Sequence, residues 1–266
     1  MAYRCICKGT SSASSYGLNE TIDLGGIGML RTEVKNGLRK LGYVASRYDH
    51  RRDPFAVRKH FFEMYGINLV LDIGANSGQF AQQLLESGYR GKIISFEPLS
   101  SAFGKLSEAA QKHSGWNAVH CALGQEEGSE EINVAANSWS SSLLAMLPAH
   151  LESAPNSAYI ATETIQIKTL DALYPSYRWD GSHAFLKIDT QGFTMKVLEG
   201  GSQTLKEISG LQVEMSLVPL YEGEPLIGEV MSFLQGRGFT PIAIFPEFFD
   251  NRTGQQLQVN GLFFRL

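Results

Sequence analysis

The sequence predicts an α/β protein built on a doubly wound, mostly parallel sheet. Residues 69–73 form a short apolar run typical of a buried parallel strand, and Gly74 and Gly78 then mark a tight turn. A helical pattern follows, and a second apolar strand at 93–96 ends on an acid, Glu97. A strand, a glycine turn, a helix and a strand ending on an acid are typical of one nucleotide-binding half of such a sheet.

The other elements continue this alternation of strand and helix. Residues 1–28 are rich in serine and glycine without periodicity, so we expect them to be poorly ordered. Helices are predicted at 30–41, from the Asp53-Pro54 cap toward Gly66, and at 102–113, 143–151 and 229–236, with a helix or turn at 195–201. Further strands are predicted at 116–121, 184–189, 211–215, 240–245 and 257–265, with exposed or edge strands at 131–135 and 164–168.

Composition and charge argue against a nucleic-acid-binding, disulfide-rich or membrane-spanning protein. A formal charge of −4 and a pI near 5.9 give no general attraction to nucleic acid. The three cysteines, Cys5, Cys7 and Cys121, do not form a disulfide framework, and the sequence contains no apolar signal core or membrane-spanning run. We therefore expect a cytoplasmic protein. The basic amphipathic pattern at 30–41 favours a covering helix, with contact to an anionic membrane as the alternative.

The glycine turn favours S-adenosylmethionine (AdoMet) over a nicotinamide dinucleotide. Its spacing is Gly-x-x-x-Gly, so the glycines that admit a pyrophosphate in dehydrogenases are out of register. Asp72, at the tip of the first strand, would repel a pyrophosphate and attract a cation. AdoMet carries a sulfonium and an ammonium but no phosphate, and it satisfies both conditions.

Five segments together resemble the FkbM family of AdoMet-dependent methyltransferases. They are 72–80 (DIGANSGQF), 96–98 (FEP), 122–124 (ALG), 186–193 (LKIDTQGF) and 197–200 (VLEG), and the similarity runs from about Asp53 to the C-terminus. The resemblance implies a class I, Rossmann-like methyltransferase fold with a seven-stranded sheet and an antiparallel last strand. It also implies methylation of a hydroxyl on a sugar, glycolipid or polyketide-type natural product.

On this basis the chain divides into a poorly ordered segment at 1–28, a helical cap at 29–66 and an AdoMet-binding domain at 67–266. A substrate-facing insertion is expected at about 125–183, between the third and fourth strands of the sheet.

The predicted cofactor site lies at the strand tips. Glu97 is expected to accept hydrogen bonds from the ribose, and Asp72 to attract the ammonium directly or through water. Ser140 and Ser141 are either ligand contacts or turn residues. The remaining expected contacts with AdoMet are Gly74, Asn76, Gly78, Phe80, Pro98 and Ala122.

Methyl transfer to a hydroxyl needs a group that removes its proton. Asp189 is the leading candidate for acceptor contact or proton removal, and Glu214 is the second. His183 precedes the fourth strand and should lie at the wrong end of the sheet, while His120 is predicted to be a core histidine. Gln191 is neutral and Thr194 stands where many relatives have an acid, so no metal site is predicted.

Two alternatives remain at this level. One is a non-catalytic module of the same fold that binds a partner, and the other, less favoured, is an NAD-dependent oxidoreductase. The expected partner is a small-molecule acceptor, a glycan or glycolipid, and not a nucleic acid.

Overall fold

The computed structural model describes residues 24–41 and 49–266. The chain falls into two compact units, residues 1–49 and 50–266. In the first unit the predicted helix at 30–41 is present but begins earlier, at Leu24, because α1 spans Leu24–Lys40. Val34 and Leu41 of this segment are 56% and 72% exposed. The predictions for residues 1–23, including Cys5 and Cys7, lie outside the described residues.

The second unit alternates strands and helices. Helix α2 begins with Pro54, and Asp53 caps it by accepting a hydrogen bond from the Phe55 backbone N–H at 2.9 Å, as predicted. The strands are β1 Leu69–Ile73, β2 Lys92–Phe96, β3 Trp116–Val119, β4 Ala122–Leu123, β5 Gly128–Ala135, β6 Tyr159–Lys168, β7 Ala184–Ile188, β8 Ile208–Ser216, β9 Thr240–Pro246 and β10 Gln258–Phe264. The helices are α2 Pro54–Met64, α3 Gln79–Glu86, α4 Ser100–Ala110, α5 Pro148–Ser153, α6 Leu170–Leu173, α7 Thr194–Glu199 and α8 Ile227–Gln235, with short 3-10 turns at His50–Arg52, Pro155–Ser157, Tyr174–Ser176 and Thr204–Lys206.

Seven strands form the main sheet in the order β3-β2-β1-β7-β8-β10-β9. The pairs from β3 through to β8 are parallel, whereas β10 is antiparallel to both of its neighbours. The sheet therefore confirms the predicted doubly wound α/β fold, including the antiparallel last strand in chain order. Strand order reverses between β1 and β7, where such sheets bind ligands.

The two faces of the sheet differ in how apolar they are near the strand tips. Leu71 and Ile73 of β1 join a continuous apolar cluster on one face. On the other face Val70 packs in a second apolar cluster with residues of α2, α3 and α4. Toward the tips this face becomes polar, since Ser95, Asp72, Lys187 and Gln212 are register neighbours on four adjacent strands. This polar row runs beneath the loops that end the strands.

A separate three-stranded sheet has the order β4-β6-β5, in which β5 and β6 come from the region of the expected insertion and β4 precedes it. Its β5 and β6 are antiparallel and extend the two predicted strands, while β4 was not predicted. The predicted helix at 143–151 is wrong in its first half, because Pro148 starts α5 and Met146 instead forms a bridge with Tyr221. The predicted strand at 116–121 ends at Val119 for a similar reason: Ala122 pairs with β6 in the smaller sheet.

None of the helices within the described ranges combines the length and the apolar character needed to cross a bilayer.

Candidate active site

A cavity of about 460 Å³ lies at the carboxyl ends of β1, β2 and β7, at the point where strand order reverses. This volume is within the range of about 300–1,000 Å³ found for small-molecule sites. Of the residues predicted for the site, Asp72, Gly78 and Ser140 do not line the cavity. Those that do line it are Gly74, Asn76, Phe80, Glu97, Pro98, Ala122, Ser141, Asp189 and Glu214.

The turn after β1 depends on two glycines with different constraints. Gly74 has φ +77°, and a Cβ there would overlap the backbone carbonyl oxygen of Asp189. Gly78 has φ +89°, and a Cβ there would lie 2.6 Å from the ring of Trp116. Gly78 is therefore required for packing away from the cavity, whereas Gly74 brings the β1 turn into contact with the loop after β7.

Glu97 follows β2 and is held by the main chain. Its Oε2 accepts a hydrogen bond from the Asn76 N–H at 2.8 Å, and its Oε1 accepts one from the Leu99 N–H at 3.0 Å. Burial raises the pKa of Glu97 to about 7, although both backbone hydrogen bonds act in the opposite direction. A carboxylate in this fixed position still has lone pairs that can accept hydrogen bonds from a ligand's hydroxyls.

Asp72 lies behind the cavity wall. It is fully buried, its Oδ2 accepts a hydrogen bond from the Ser95 hydroxyl at 3.1 Å, and its Oδ1 is 4.0 Å from Lys187 Nζ. Burial raises its pKa. No donor among residues 24–41 and 49–266 makes a hydrogen bond to Oδ1. Asp72 therefore makes no direct contact with the cavity, and only its charge acts there across the wall.

An apolar wall lies beside Glu97. Leu99 and Ile132 are buried and belong to one cluster with Ala122 of β4. Cys121 also lines the cavity, and burial raises the pKa of its thiol to about 11, so the thiol stays protonated at neutral pH. Such a wall suits the flat face of an adenine.

The serine loop between β5 and β6 (residues 138–142) places Ser138, Ser141 and Ser142 at the cavity, but not Ser140. Ser141 lines it, and its hydroxyl accepts a hydrogen bond from the Ala135 N–H at 2.9 Å. Ser142 lines it as well and donates to the backbone oxygen of Gln191 at 2.6 Å. Ser140 is a turn residue bonded to Asn137.

Lys187 and Asp189 form an ion pair at the polar part of the cavity. Lys187 Nζ lies 2.9 Å from Asp189 Oδ2. Burial disfavours the charge of Lys187, yet Asp189 and Asp72 raise its pKa above the ordinary value. Burial alone would raise the pKa of Asp189, but Lys187 lowers it. Asp189 is therefore ionised at neutral pH.

Gln191 joins Asp189 to the second candidate acid. Its side-chain amide donates to Asp189 Oδ1 at 2.9 Å and to Glu214 Oε2 at 2.8 Å, and its Oε1 accepts a hydrogen bond from the Tyr221 hydroxyl at 2.7 Å. Burial, and then the charge of Asp189, raise the pKa of Glu214 well above its ordinary value. Two adjacent carboxyl groups thus have pKa values displaced in opposite directions, an arrangement typical of acid–base sites.

A protein-family model for the methyltransferase FkbM domain matches residues 72–241. The chain belongs to the FkbM methyltransferase family. The match contains the β1 turn, Glu97, Asp189 and Glu214, and it confirms the family that the sequence motifs indicate. Members of this family use AdoMet as methyl donor, and AdoMet is the cofactor of this FkbM protein.

Solved structures with similar folds share little sequence with this FkbM protein. The methyltransferase FkbM from Methylobacillus flagellatus KT is 12% identical with a TM-score of 0.45; the match covers 90% of the present chain and 60% of that chain. The magnesium protoporphyrin IX methyltransferase from Synechocystis PCC 6803, solved with bound SAM, is 11% identical with a TM-score of 0.44 and coverage of 94% and 100%. An rRNA methylase from Streptococcus thermophilus is 13% identical with a TM-score of 0.44 and coverage of 84% and 99%. A comparison with curated protein sequences gave no match.

Two cations of the FkbM site were not predicted from the sequence. Lys187 interrupts the apolar strand β7, and a lysine within such a strand is a sequence signal of a buried, paired charge. Arg58 comes from α2, is only 5% exposed and lines the cavity. No local pattern distinguishes Arg58 from the other basic residues of its helix.

The two histidines considered earlier lie away from the proton-accepting groups. His183 is at the amino ends of β1 and β7, where its backbone oxygen accepts from Asn68 N–H. His120 is exposed, so the prediction of a core histidine is wrong. One of its ring nitrogens is 2.9 Å from the Pro98 oxygen, and the ring stacks on Phe103. In the described part of the chain, no three His, Cys, Asp or Glu side chains are arranged to hold a metal ion.

The cavity of the FkbM protein suits AdoMet in its chemistry. It combines the apolar wall, Glu97 and a polar part with charged side chains. The buried hydroxyl of Thr190, which lines the cavity, has no hydrogen-bond partner within the described ranges. A buried polar atom without a partner at a cavity wall indicates a site completed by a ligand or water.

Proposed function

We propose that this FkbM protein is an AdoMet-dependent O-methyltransferase that modifies a hydroxyl of a small molecule, namely a sugar, glycolipid or polyketide-type natural product. The observation that carries the proposal is the carboxyl pair of Asp189 and Glu214, bridged by Gln191 in the same cavity as Glu97. The low cysteine content supports a reducing, cytoplasmic setting.

The protein must supply alignment and a proton acceptor. AdoMet, when bound, supplies an electrophilic methyl group on a sulfonium. Because charge is consumed in the transfer, the residues of this chain need to hold the acceptor hydroxyl in line and remove its proton.

We assign proton removal to Glu214 and positioning to Asp189. Asp189 is the leading candidate in the sequence, but its ion pair with Lys187 makes it a weak base. Glu214 has a raised pKa, so its ionised form is the stronger base. Gln191 restricts both carboxyl groups through its two donated hydrogen bonds and is itself fixed by Tyr221.

The cavity supports a polyhydroxylated acceptor. Beyond the two acids, it is lined by the amides Gln212 and Asn260 and by the carboxyl group of Glu247. The amides donate and accept hydrogen bonds and an ionised carboxylate accepts them, as sugar hydroxyls require. Trp139, which is 66% exposed, offers an aromatic face from the insertion. We therefore propose that the insertion at 125–183 faces the acceptor.

The test is turnover with AdoMet carrying a labelled methyl group, using small-molecule extracts of sugars and glycolipids as acceptors. We expect label on an oxygen of a small molecule, located by mass spectrometry, and loss of the product with Asp189→Asn. Label on nitrogen or on nucleic acid would contradict the proposed acceptor chemistry. AdoMet binding without transfer to any acceptor would favour the non-catalytic module.

A further inference from the structure

Arg58 occupies an unusual position for an arginine. It lies on α2, outside the segment matched by the family model, yet its side chain is 5% exposed and lines the AdoMet cavity. One guanidinium nitrogen donates to Gln212 Oε1 at 3.0 Å, and the guanidinium carbon lies 4.7 Å from the centre of the Phe80 ring. Phe80 belongs to α3, which begins directly after the β1 glycine turn.

Arg58 differs from Lys187, the other buried cation of the cavity, because among the described residues it has no carboxylate at ion-pair distance. Lys187 is compensated by Asp189 at 2.9 Å and Asp72 at 4.0 Å. Within residues 24–41 and 49–266, no ion pair joins Arg58 to a carboxylate, and Gln212 is neutral. Burial lowers the pKa of Arg58 to about 10, although the charges of Asp53 and Asp72 act in the opposite direction from beyond ion-pair distance, so Arg58 stays protonated at neutral pH. A buried cation is costly unless an anion accompanies it.

The amino-acid part of AdoMet has one anionic group. Its ammonium is compatible with the carboxyl group of Asp189, which lines the cavity, and with the more distant charge of Asp72 behind the wall, whereas both would repel its carboxylate. A guanidinium presents paired N–H donors that match the two oxygens of a carboxylate. The contact between Arg58 and Phe80 places that donor set next to the segment that follows the glycine turn.

We propose that Arg58 binds the carboxylate of AdoMet and so makes the enzyme selective for methyl donors that retain it. Lys187 is the alternative ligand for this carboxylate, but its ion pair with Asp189 would have to break first. Gln212 and Phe80 act as positioning residues, because they hold the guanidinium through a hydrogen bond and a cation–π contact. The inference concerns the cofactor alone and is independent of the acceptor's identity.

The test compares AdoMet with decarboxylated AdoMet by isothermal titration calorimetry on the full chain. Decarboxylated AdoMet keeps the adenosine, sulfonium and amine and lacks only the carboxylate. We expect wild type to bind AdoMet more tightly by about tenfold or more, as for a charge-assisted hydrogen-bonded pair. Arg58→Met should weaken AdoMet binding and leave decarboxylated AdoMet nearly unchanged, so that the preference disappears.

The matched control is Lys59→Met, which removes the same charge from the next residue of α2. Lys59 is exposed and donates to the Ser87 backbone oxygen, outside the cavity. The Lys59→Met variant should keep the wild-type preference for AdoMet over decarboxylated AdoMet. If circular dichroism shows that Arg58→Met is unfolded, Arg58→Lys takes its place and should lose most of the preference, since an ammonium lacks the paired donors. Equal binding of both ligands by wild type, or an intact preference in the Arg58 variant, would overturn the proposal.

Discussion

Glu97 and Glu214 are two glutamates with raised pKa values in one cavity, and they are held in different ways. Backbone N–H groups of Asn76 and Leu99 fix Glu97, so its carboxylate has one orientation set by the main chain. Glu214 is fixed by the side chain of Gln191, which also contacts Asp189. The first arrangement suits a permanent hydrogen-bond acceptor for a ligand, and the second suits a group that gains and loses a proton.

Among the tests of this difference between the two glutamates, the largest change in kcat is expected at Glu214. Glu214→Gln keeps the shape but removes the proton acceptor, so kcat should fall by about 10²–10⁴-fold, the usual contribution of general-base catalysis. The dissociation constant of AdoMet should change little. Steady-state kinetics and calorimetry measure the two quantities, with the exposed Glu222→Gln as control. Loss of AdoMet affinity with normal kcat would reverse the roles assigned to the two glutamates.

The opposite pattern is expected at Glu97. Glu97→Gln places an amide NH₂ against one of the two backbone donors and removes a charged acceptor for the ribose. We expect AdoMet to bind about 10- to 100-fold more weakly, consistent with about 1.5–3 kcal/mol for hydrogen bonds to a charged group. The value of kcat at saturating AdoMet should remain within a few-fold of wild type. Glu108→Gln on the surface of α4 is the control, and thermal melting checks that both variants fold.

The pH dependence of AdoMet binding provides a second test of Glu97. Its pKa is about 7 in the free protein, and hydroxyl donors favour the ionised form. Affinity should therefore rise with pH through about 7 and level off above it, by about tenfold between pH 6 and pH 8. Calorimetry across this range measures the change. A slope that persists in Glu97→Gln would assign the titration to another group.

A smaller effect on kcat is expected at Ser142, where the serine loop contacts Gln191. The Ser142 hydroxyl donates to the backbone oxygen of Gln191. Ser142→Ala removes one hydrogen bond worth about 1 kcal/mol, so kcat should fall roughly fivefold as Gln191 loosens. Ser232→Ala also removes one hydroxyl that donates to a backbone oxygen, but at an exposed position of α8, and should leave kcat unchanged. An unchanged kcat in Ser142→Ala would mean that Gln191 is held without it.

The difference between local main-chain contacts and long-range side-chain contacts also explains which features could be predicted from the sequence. The β1 turn, the end of β2 and Glu97 follow from short local patterns, because an apolar strand, a glycine and an acid act within a few residues of each other. The fold class was predicted correctly for the same reason, whereas the antiparallel β10 was predicted from the family resemblance alone.

Other features of the molecule depend on contacts that no local pattern encodes. Arg58 reaches the cavity through a hydrogen bond to Gln212, 154 positions along the chain. The helix predicted over Leu143 failed because that segment makes tertiary contacts instead: Leu143 packs against the buried core of the insertion. His120 was misplaced because β3 ends before it and leaves its ring on the surface.

Gly74 has one more consequence. Since any side chain at this position would collide with the Asp189 carbonyl, the β1 turn and the loop after β7 that carries Asp189 touch main chain to main chain. A displacement of either segment is transmitted to the other with no rotamer to absorb it. The backbone itself thus sets the distance between the β1 turn and the loop after β7.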